Sequence, residues 1–233
     1  MDNLTALQQT LGISFNNPAL LEQALVHSSY VNENPGSPQD SNEKLEFFGD
    51  AVLGLIISEK LYVDCPHFNE GDMTRLRAAL VRQEALARVA KTIKLGDYLY
   101  LGNGEEASGG RNKPRNLASA LEAVIATTFL DQGIAVARDF ILKLFDSELH
   151  KVVSQGAVAD YKSRLQELLQ SRQQVIPVYR LVEAQGPAHQ QTFTVEVMVA
   201  DTALGRGSGK SKKIAEKEAA HSALERLLPD FTP

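Results

Sequence analysis

The first two-thirds of the chain carry apolar residues at helical spacing. From Leu4 to about His150 these residues recur every three or four positions, without sustained alternation of apolar and polar residues. Stretches rich in Gly, Pro and Asn at 32–41 and 101–116 predict loops. The pattern predicts an all-helical domain. The predicted helices cover approximately 17–25, 42–63, 71–93, 116–130 and 134–151.

The hydrophobic pattern changes after residue 160. Residues 160–171 still have helical spacing, but two later stretches alternate as strands, and a third short strand is expected at 202–209. A final helix follows, with Ser211 as its N-cap. The order α-β-β-β-α predicts a small sheet with both helices packed on one face. The clearest strand places four apolar residues on that face: Phe193, Val195, Val197 and Val199.

These two patterns predict fold class α + (α+β), with a helical domain at 1–151, a linker at 152–159 and an α-β-β-β-α domain at 160–229. The 233 residues are 43% hydrophobic, which supplies a sufficient core. The net charge of −5 argues against a nucleic-acid partner, but the charge is uneven. Residues 1–150 hold 13 basic and 20 acidic side chains, and residues 151–233 hold 11 and 9. A polyanionic partner therefore stays open for the second domain.

Composition also limits the class of protein. Cys65 is the single cysteine, so intrachain disulfides and a thiolate metal cluster are excluded, and we expect a buried thiol. We expect no apolar run long enough for a membrane span. The first residues lack the basic start and long apolar stretch of a secretory signal. These features are typical of a cytoplasmic protein with no membrane partner.

Three acidic residues share one face of the helix predicted at 42–63. Glu43, Glu46 and Asp50 have the spacing i, i+3, i+7, which places them within roughly a 60° arc. Glu43 follows Asn42, the predicted N-cap, so the helix dipole explains its charge. Asp50 lies two turns further among apolar residues, where a carboxylate needs a partner or a cation.

A fourth acid, Glu122, is the sole ionisable residue from Leu117 to Leu130. A charge within such an apolar run is expected to be partly buried and paired. Two explanations stay open. Glu122 forms a buried ion pair with Arg75 or Arg77, or it shares a divalent cation with the three acids described above. Mg²⁺ suits the second explanation because it prefers oxygen ligands and usually keeps several waters.

Several motifs occur in the same order as in one known family. "NEKLEFFGDAVL" at 42–53 is close to NERLEFLGDAVL, and "ALVHSSY" at 24–30 is close to ALTHRSY with Val26 and Ser28 as departures. The segments at 70–81 and 101–113 match with little change. The chain thus resembles the ribonuclease III family over nearly its whole length, and its C-terminal part resembles a double-stranded-RNA-binding domain.

The resemblance implies a fold and an activity. The helical domain would be the family's endonuclease domain, acting as an obligate homodimer. The implied reaction is Mg²⁺-dependent hydrolysis of double-stranded RNA to 5′-phosphate and 3′-hydroxyl ends, in rRNA and mRNA processing, with Mn²⁺ as a possible substitute. The family uses no small-molecule cofactor, histidine base or covalent nucleophile. His27 and His67 are therefore expected to be structural or exposed.

Site residues also follow from the resemblance. Asp50 and Glu122 would be catalytic, and the implied metal ligands are Glu46, Asp50, Ser119 and Glu122. Glu43 and Glu70 correspond to accessory acids linked to RNA handling or dimer contacts. Phe47 resembles an apolar side chain that inserts into the partner subunit, with an ordinary core position as the alternative.

Ser119 departs from the family, which has aspartate at this position. Because serine is a much weaker ligand for Mg²⁺ than a carboxylate, we expect lower metal affinity. The alternative function is a catalytically weakened or inactive dimer that only binds double-stranded RNA.

A basic run lies near the end of the chain. Residues 206–217 contain five basic residues and one glutamate, a net charge of +4, which is typical of a solvated helix face or of phosphate binding. The resemblance favours phosphate binding at the start of the last helix, with a GPxH loop at 186–189 and a glutamine pair reading the minor groove. The residues implied are Gln166, Gln170, His189, Lys210, Lys212, Lys213 and Lys217.

Overall fold

The computed structural model describes residues 2–36, 40–66, 68–173, 175–187 and 191–228. The chain forms two compact units, Met1–Val152 and Val153–Pro233. The first is helical and the second contains the sheet, which confirms the predicted fold class.

The helices of the first unit follow the predicted order with additions. Two short 3₁₀ helices, Leu95–Tyr98 and Gly110–Asn112, flank α7. The α-helices are α1 Asp2–Leu11, α2 Pro18–Ala24, α3 Ser28–Glu33, α4 Glu43–Asp64, α5 Glu70–Val81, α6 Gln83–Thr92, α7 Asn103–Ala107 and α8 Pro114–Gln173, which continues into the second unit.

One of the predicted helix boundaries is wrong, and the predicted linker has regular structure. The single helix expected at 71–93 is two helices, because Arg82 has extended backbone (φ −69°, ψ 151°) between α5 and α6. Residues 152–159 have helical backbone within α8, which is interrupted at Gly133 (φ 82°, ψ 177°), and their role as a linker stays a prediction. The segment 152–160 contains one glycine and no proline, so no strong helix breaker opposes its continuation.

The apolar content of α8 also corrects an expectation. An 18-residue window within Pro114–Val153 has a mean hydropathy of 1.4, enough to meet a length-and-composition criterion for a membrane span. Half of that window is buried inside the protein, and core helices of globular domains meet the same criterion. The window is therefore weak support for a membrane span.

The 114–132 part of α8 forms the centre of the first unit. Its residues 120–126 are all buried, and Leu53, Ile57 and Phe145 are fully buried in the same core. This part of α8 contains four alanines, whose small side chains let neighbouring helices pack closely against it. Cys65 is buried, as expected, and burial raises the pKa of its thiol.

The second unit confirms the predicted α-β-β-β-α order. Strands β1 Val178–Gln185, β2 Thr192–Val199 and β3 Thr202–Gly209 form an antiparallel sheet in the order β1-β2-β3, and α9 spans Lys212–Leu227. The Ser211 side chain accepts a hydrogen bond from the Ile214 N–H, so the predicted N-cap is confirmed. The predicted apolar face of β2 lies against the core, with Val195 and Val197 buried beside Leu165 of α8 and Ala219 of α9.

Candidate active site and nucleic-acid interface

Helix α4 crosses the 114–132 part of α8 at Gly49. A β-carbon at position 49 would lie 1.8 Å from the carbonyl oxygen of Glu122, so only glycine permits this approach. Glu46 and Asp50 flank Gly49 one turn before it and one residue after it. The close crossing therefore brings the acids of α4 to the backbone that carries Glu122.

The electrostatics of Glu122 reflect the nearby acids of α4. Its side chain is largely buried, with 9% of the residue exposed. Burial, followed by the negative charges of Asp50 and Glu46, raises the pKa of Glu122 to about 8. Every cause of this shift penalises the charged form. The site thus concentrates negative charge that a bound cation would neutralise.

The buried ion pair suggested as an alternative is wrong. Arg75 pairs with Asp72, and Arg77 donates to the Ser58 hydroxyl at 3.2 Å. Among the residues that the structure describes, no basic side chain forms a salt bridge with Glu122. An uncompensated carboxylate at this depth is costly unless it is protonated or binds a cation.

The acids are suitable ligands for a hard cation, although they do not form a complete set of metal ligands. No group of three or more His, Cys, Asp or Glu side chains in the described part of the chain is close enough to surround a metal ion. Carboxylate oxygens are nevertheless the ligands that Mg²⁺ prefers, and Mg²⁺ needs few of them because it retains water. Ser119 is half-buried on α8, one turn before Glu122.

The accessory acids lie at the starts of two helices. Glu43 is exposed in the first turn of α4 and accepts a hydrogen bond from the Ser41 hydroxyl at 2.8 Å. Glu70 begins α5 and accepts from Thr74 at 2.9 Å. Both positions favour negative charge through the helix dipole. Neither acid is among the charges that raise the pKa of Glu122.

The start of α4 is held by Asn42, although not in the way expected. The Asn42 side chain makes no capping bond. Its amide instead donates to the Ala24 carbonyl at 3.1 Å, and its backbone N–H donates to the Val26 carbonyl at 2.8 Å. His27, which follows Val26, is the N-cap of α3. Its ring accepts a hydrogen bond from the Ser29 N–H, so its predicted structural role is confirmed. His67 lies outside the described residues.

Helix α4 also has an exposed apolar face. Phe47 is 81% exposed, which rules out the ordinary core position. Leu55 and Tyr62 are exposed further along the same helix. A groove of about 470 Å³ lies beside them, between α4 and α5, and Glu70 is on its wall. An exposed apolar patch of this kind is typical of a protein–protein interface.

The basic surface lies on the second unit. The described residues give no salt bridge to Lys210, Lys212, Lys213 or Lys217, so their charges are available to a ligand at the start of α9. Gln166 and Gln170 are exposed on α8. His189 lies outside the described residues, and Gly186, at the start of its loop, has a φ of +96°.

Sequence reasoning missed two features of these sites. Gly49 is present in the quoted motif, and a glycine inside a helix next to acidic residues could have indicated a close helix crossing. The ion pair between Lys162 and Glu216, with an N–O distance of 2.7 Å, joins segments too far apart in sequence for spacing to reveal it.

Comparison with known proteins agrees with this geometry. Residues 17–149 match the family model for a ribonuclease-III-like domain, and residues 161–227 match the double-stranded RNA binding motif. The chain is 52% identical to Ribonuclease 3 of Dehalococcoides mccartyi (strain 195), over 100% of this chain and 98% of the relative. It is 46% identical to Ribonuclease 3 of Syntrophobacter fumaroxidans, over 98% and 96%.

A solved structure is similar to the first unit. The crystal structure of the nuclease domain of ribonuclease III from Campylobacter jejuni has 38% identity and a TM-score of 0.58, covering 64% of this chain and 97% of that one. A second structure of that domain, with a TM-score of 0.57 and coverage of 61% and 95%, is described in terms of a region involved in dimer formation.

The fold and the two surfaces define a helical nuclease domain linked to a double-stranded-RNA-binding domain. The protein is therefore an endonuclease with an RNA-binding module. The chain belongs to the ribonuclease III family.

Proposed function

We propose that the protein is a Mg²⁺-dependent endoribonuclease that cleaves double-stranded RNA, in processing of ribosomal and messenger transcripts in the cytoplasm. The observation that carries this proposal is the buried Glu122 carboxylate beside Glu46 and Asp50, with no basic side chain among the described residues to pair with it. Such a site is costly without a cation and becomes favourable with one.

The acids have distinct roles in this proposal. Glu46, Asp50 and Glu122 would hold the cation, and Ser119 would contribute at most a neutral oxygen. When bound, a divalent cation would supply an activated water and stabilise charge on the phosphoryl and leaving oxygens. The contact between Gly49 and Glu122 fixes the two helices, so the carboxylates are positioned before substrate arrives. Hydrolysis of this kind leaves a 5′-phosphate and a 3′-hydroxyl.

The proposed active form is a homodimer. One site cuts one strand, so a double-strand cut needs two sites related by a twofold axis. The exposed side chains of Phe47, Leu55 and Tyr62 support an interface along α4. The groove between α4 and α5, lined in part by Glu70, is a complementary surface for an apolar side chain of the partner.

The second unit is proposed to hold the duplex. Lys210, Lys212, Lys213 and Lys217 would contact phosphates near the positive end of α9, and Gln166 and Gln170, with His189, would contact the minor groove. Recognition of this type reads the A-form shape of the duplex rather than its sequence. Binding should therefore weaken as salt rises.

A labelled RNA duplex tests the proposal. We expect cleavage with Mg²⁺ or Mn²⁺, none with EDTA, and little cleavage of a single strand of the same sequence. Products should be substrates for ligation without prior phosphorylation, because they carry 5′-phosphates. Duplex binding without cleavage at any metal concentration would contradict the proposal and support the alternative, an inactive RNA-binding dimer, for which Ser119 is the reason.

A further inference from the structure

Three elements of the second unit meet at Lys162. Its ammonium group lies 2.7 Å from a carboxylate oxygen of Glu216 on α9 and 4.3 Å from the centre of the Tyr179 ring on β1. Both charged side chains are partly exposed, with 38% of the Lys162 side chain and 29% of the Glu216 side chain accessible. A cation over an aromatic ring and beside a carboxylate is held in place by both contacts.

Glu216 lies within the predicted phosphate-binding surface. It is the one acid in the 206–217 run, and it follows Lys212 by four residues and Lys213 by three. Residues at these spacings are neighbours on a helix, so the Glu216 carboxylate could pair with either lysine. In the structure Glu216 pairs with Lys162, and Lys212 and Lys213 are exposed without a salt bridge to a described residue.

Lys162 also lies next to the other part of the predicted interface. It precedes Gln166 by four residues and Gln170 by eight on α8, so all three lie toward one side of that helix. The pair between Lys162 and Glu216 therefore connects the helix face with the two glutamines to the basic start of α9.

We propose that Lys162 is a positioning residue for duplex binding: it sequesters the Glu216 carboxylate, so that Lys212 and Lys213 stay free to contact phosphates. This inference rests on the proposed duplex-binding role of the second unit. In the absence of Lys162, Glu216 would pair with a lysine of its own helix and repel the phosphate backbone. Lys162 would then increase duplex affinity without touching the RNA.

The test measures duplex affinity of the full-length protein in EDTA over a range of salt concentrations. We expect Lys162→Gln to raise the Kd by roughly three- to tenfold and to reduce the slope of log K against log salt by about 1. The double variant Lys162→Gln/Glu216→Gln should regain the wild-type Kd and slope, because the competing acid is gone. Lys162→Arg should also retain both.

Controls separate this role from the alternatives. Lys213→Gln, which removes a predicted phosphate contact, should lower the slope, and Arg226→Gln, at the far end of α9 where it donates to the Ala203 carbonyl, should change it little. If the double variant binds as weakly as Lys162→Gln, Lys162 contacts RNA itself or only supports the fold, and the inference is wrong.

Two further outcomes have clear meanings. If wild-type protein does not bind the duplex, the proposed RNA-binding surface fails, and this inference fails with it. If wild-type protein binds with a salt dependence that Lys213→Gln lowers but Lys162→Gln does not, the surface stands and only the role of Lys162 is overturned.

Discussion

Gly49 of α4 lies directly against the backbone carbonyl of Glu122, where a β-carbon would lie 1.8 Å from the oxygen. This contact brings Glu46 and Asp50 to the helix that carries Glu122. Acids from two separate segments are thereby brought together, and the two charges that raise the pKa of Glu122, those of Asp50 and Glu46, are negative.

Gly49→Ala tests this contact. The added methyl group must push α4 away from the backbone of α8, so we expect the free energy of unfolding to fall by about 1–3 kcal/mol, together with a loss of cleavage. Urea denaturation and a duplex-cleavage assay measure the two effects. Gly54→Ala in the same helix is the control, because nothing lies within 4 Å of the added carbon. Gly54→Ala should be neutral or stabilise by up to about 1 kcal/mol, and equal destabilisation by both variants would contradict the interpretation.

The raised pKa of Glu122 predicts that stability falls at high pH in the absence of divalent cations. Its folded-state pKa of about 8 lies above the ordinary value of 4.5. The stability that its protonated form contributes is therefore complete below about pH 4.5 and is lost as pH rises through about 8. Thermal unfolding in EDTA at pH 6 and pH 9 should show a drop at pH 9 that Glu122→Gln reduces. A drop of equal size in Glu122→Gln would assign the effect to other groups.

We expect Ser119→Asp to destabilise the metal-free protein and to strengthen metal binding. A fourth acid one turn from Glu122 increases repulsion in the metal-free protein, so the unfolding temperature in EDTA should fall. The same acid is a better ligand than serine, and the Mg²⁺ concentration for half-maximal cleavage should fall severalfold. Ser119→Ala is the matched control and should change both values little. An unchanged metal requirement in Ser119→Asp would show that position 119 does not face the cation.

We expect the hydrogen bonds of the Asp131 carboxylate to make the protein less stable at low pH. Burial alone would raise the pKa of its carboxyl, but hydrogen bonds from the backbone N–H groups of Asn16 and Asn17, at 2.7 and 2.8 Å, and from the Gln132 amide hold the pKa below its usual range. The stability from these bonds is present above the ordinary pKa of 3.8 and is lost as pH falls through the folded-state value.

The variant Asp131→Asn should cost about 1–3 kcal/mol in urea denaturation at pH 7, with a smaller difference from wild type at pH 3. Asp146→Asn, an exposed change in the same helix, should have little effect. If the free energy of unfolding of Asp131→Asn differs from that of wild type by the same amount at pH 3 and pH 7, the carboxylate charge is not the cause of the difference.

The sequence predicted features that depend on local pattern. Strand alternation identified the core face of β2, and Ser211 before a basic helix identified the start of α9. The short helices α1, α3 and α7 were not predicted, because so few turns give only a weak period, although α2, which is also short, was predicted at 17–25. The break at Arg82 was missed because no glycine or proline marks it.

Tertiary contacts of the site could not be read from spacing. The sequence allowed Glu122 to pair with Arg75 or Arg77, and only the structure shows those arginines engaged with Asp72 and Ser58. The Asn42 side chain binds the Ala24 carbonyl, 18 residues away, rather than capping its own helix. Local propensity favoured the cap, and a buried carbonyl requiring a donor decided the outcome.

The most direct test compares wild-type protein and Glu122→Gln in one Mg²⁺ titration, with duplex binding and duplex cleavage measured on the same samples. We expect Glu122→Gln to bind the duplex with wild-type affinity and to cleave it at least about 100-fold more slowly at every Mg²⁺ concentration. Cleavage by Glu122→Gln at the wild-type rate, with the wild-type Mg²⁺ requirement, would show that the acids meeting at Gly49 and Glu122 are not the site of the reaction.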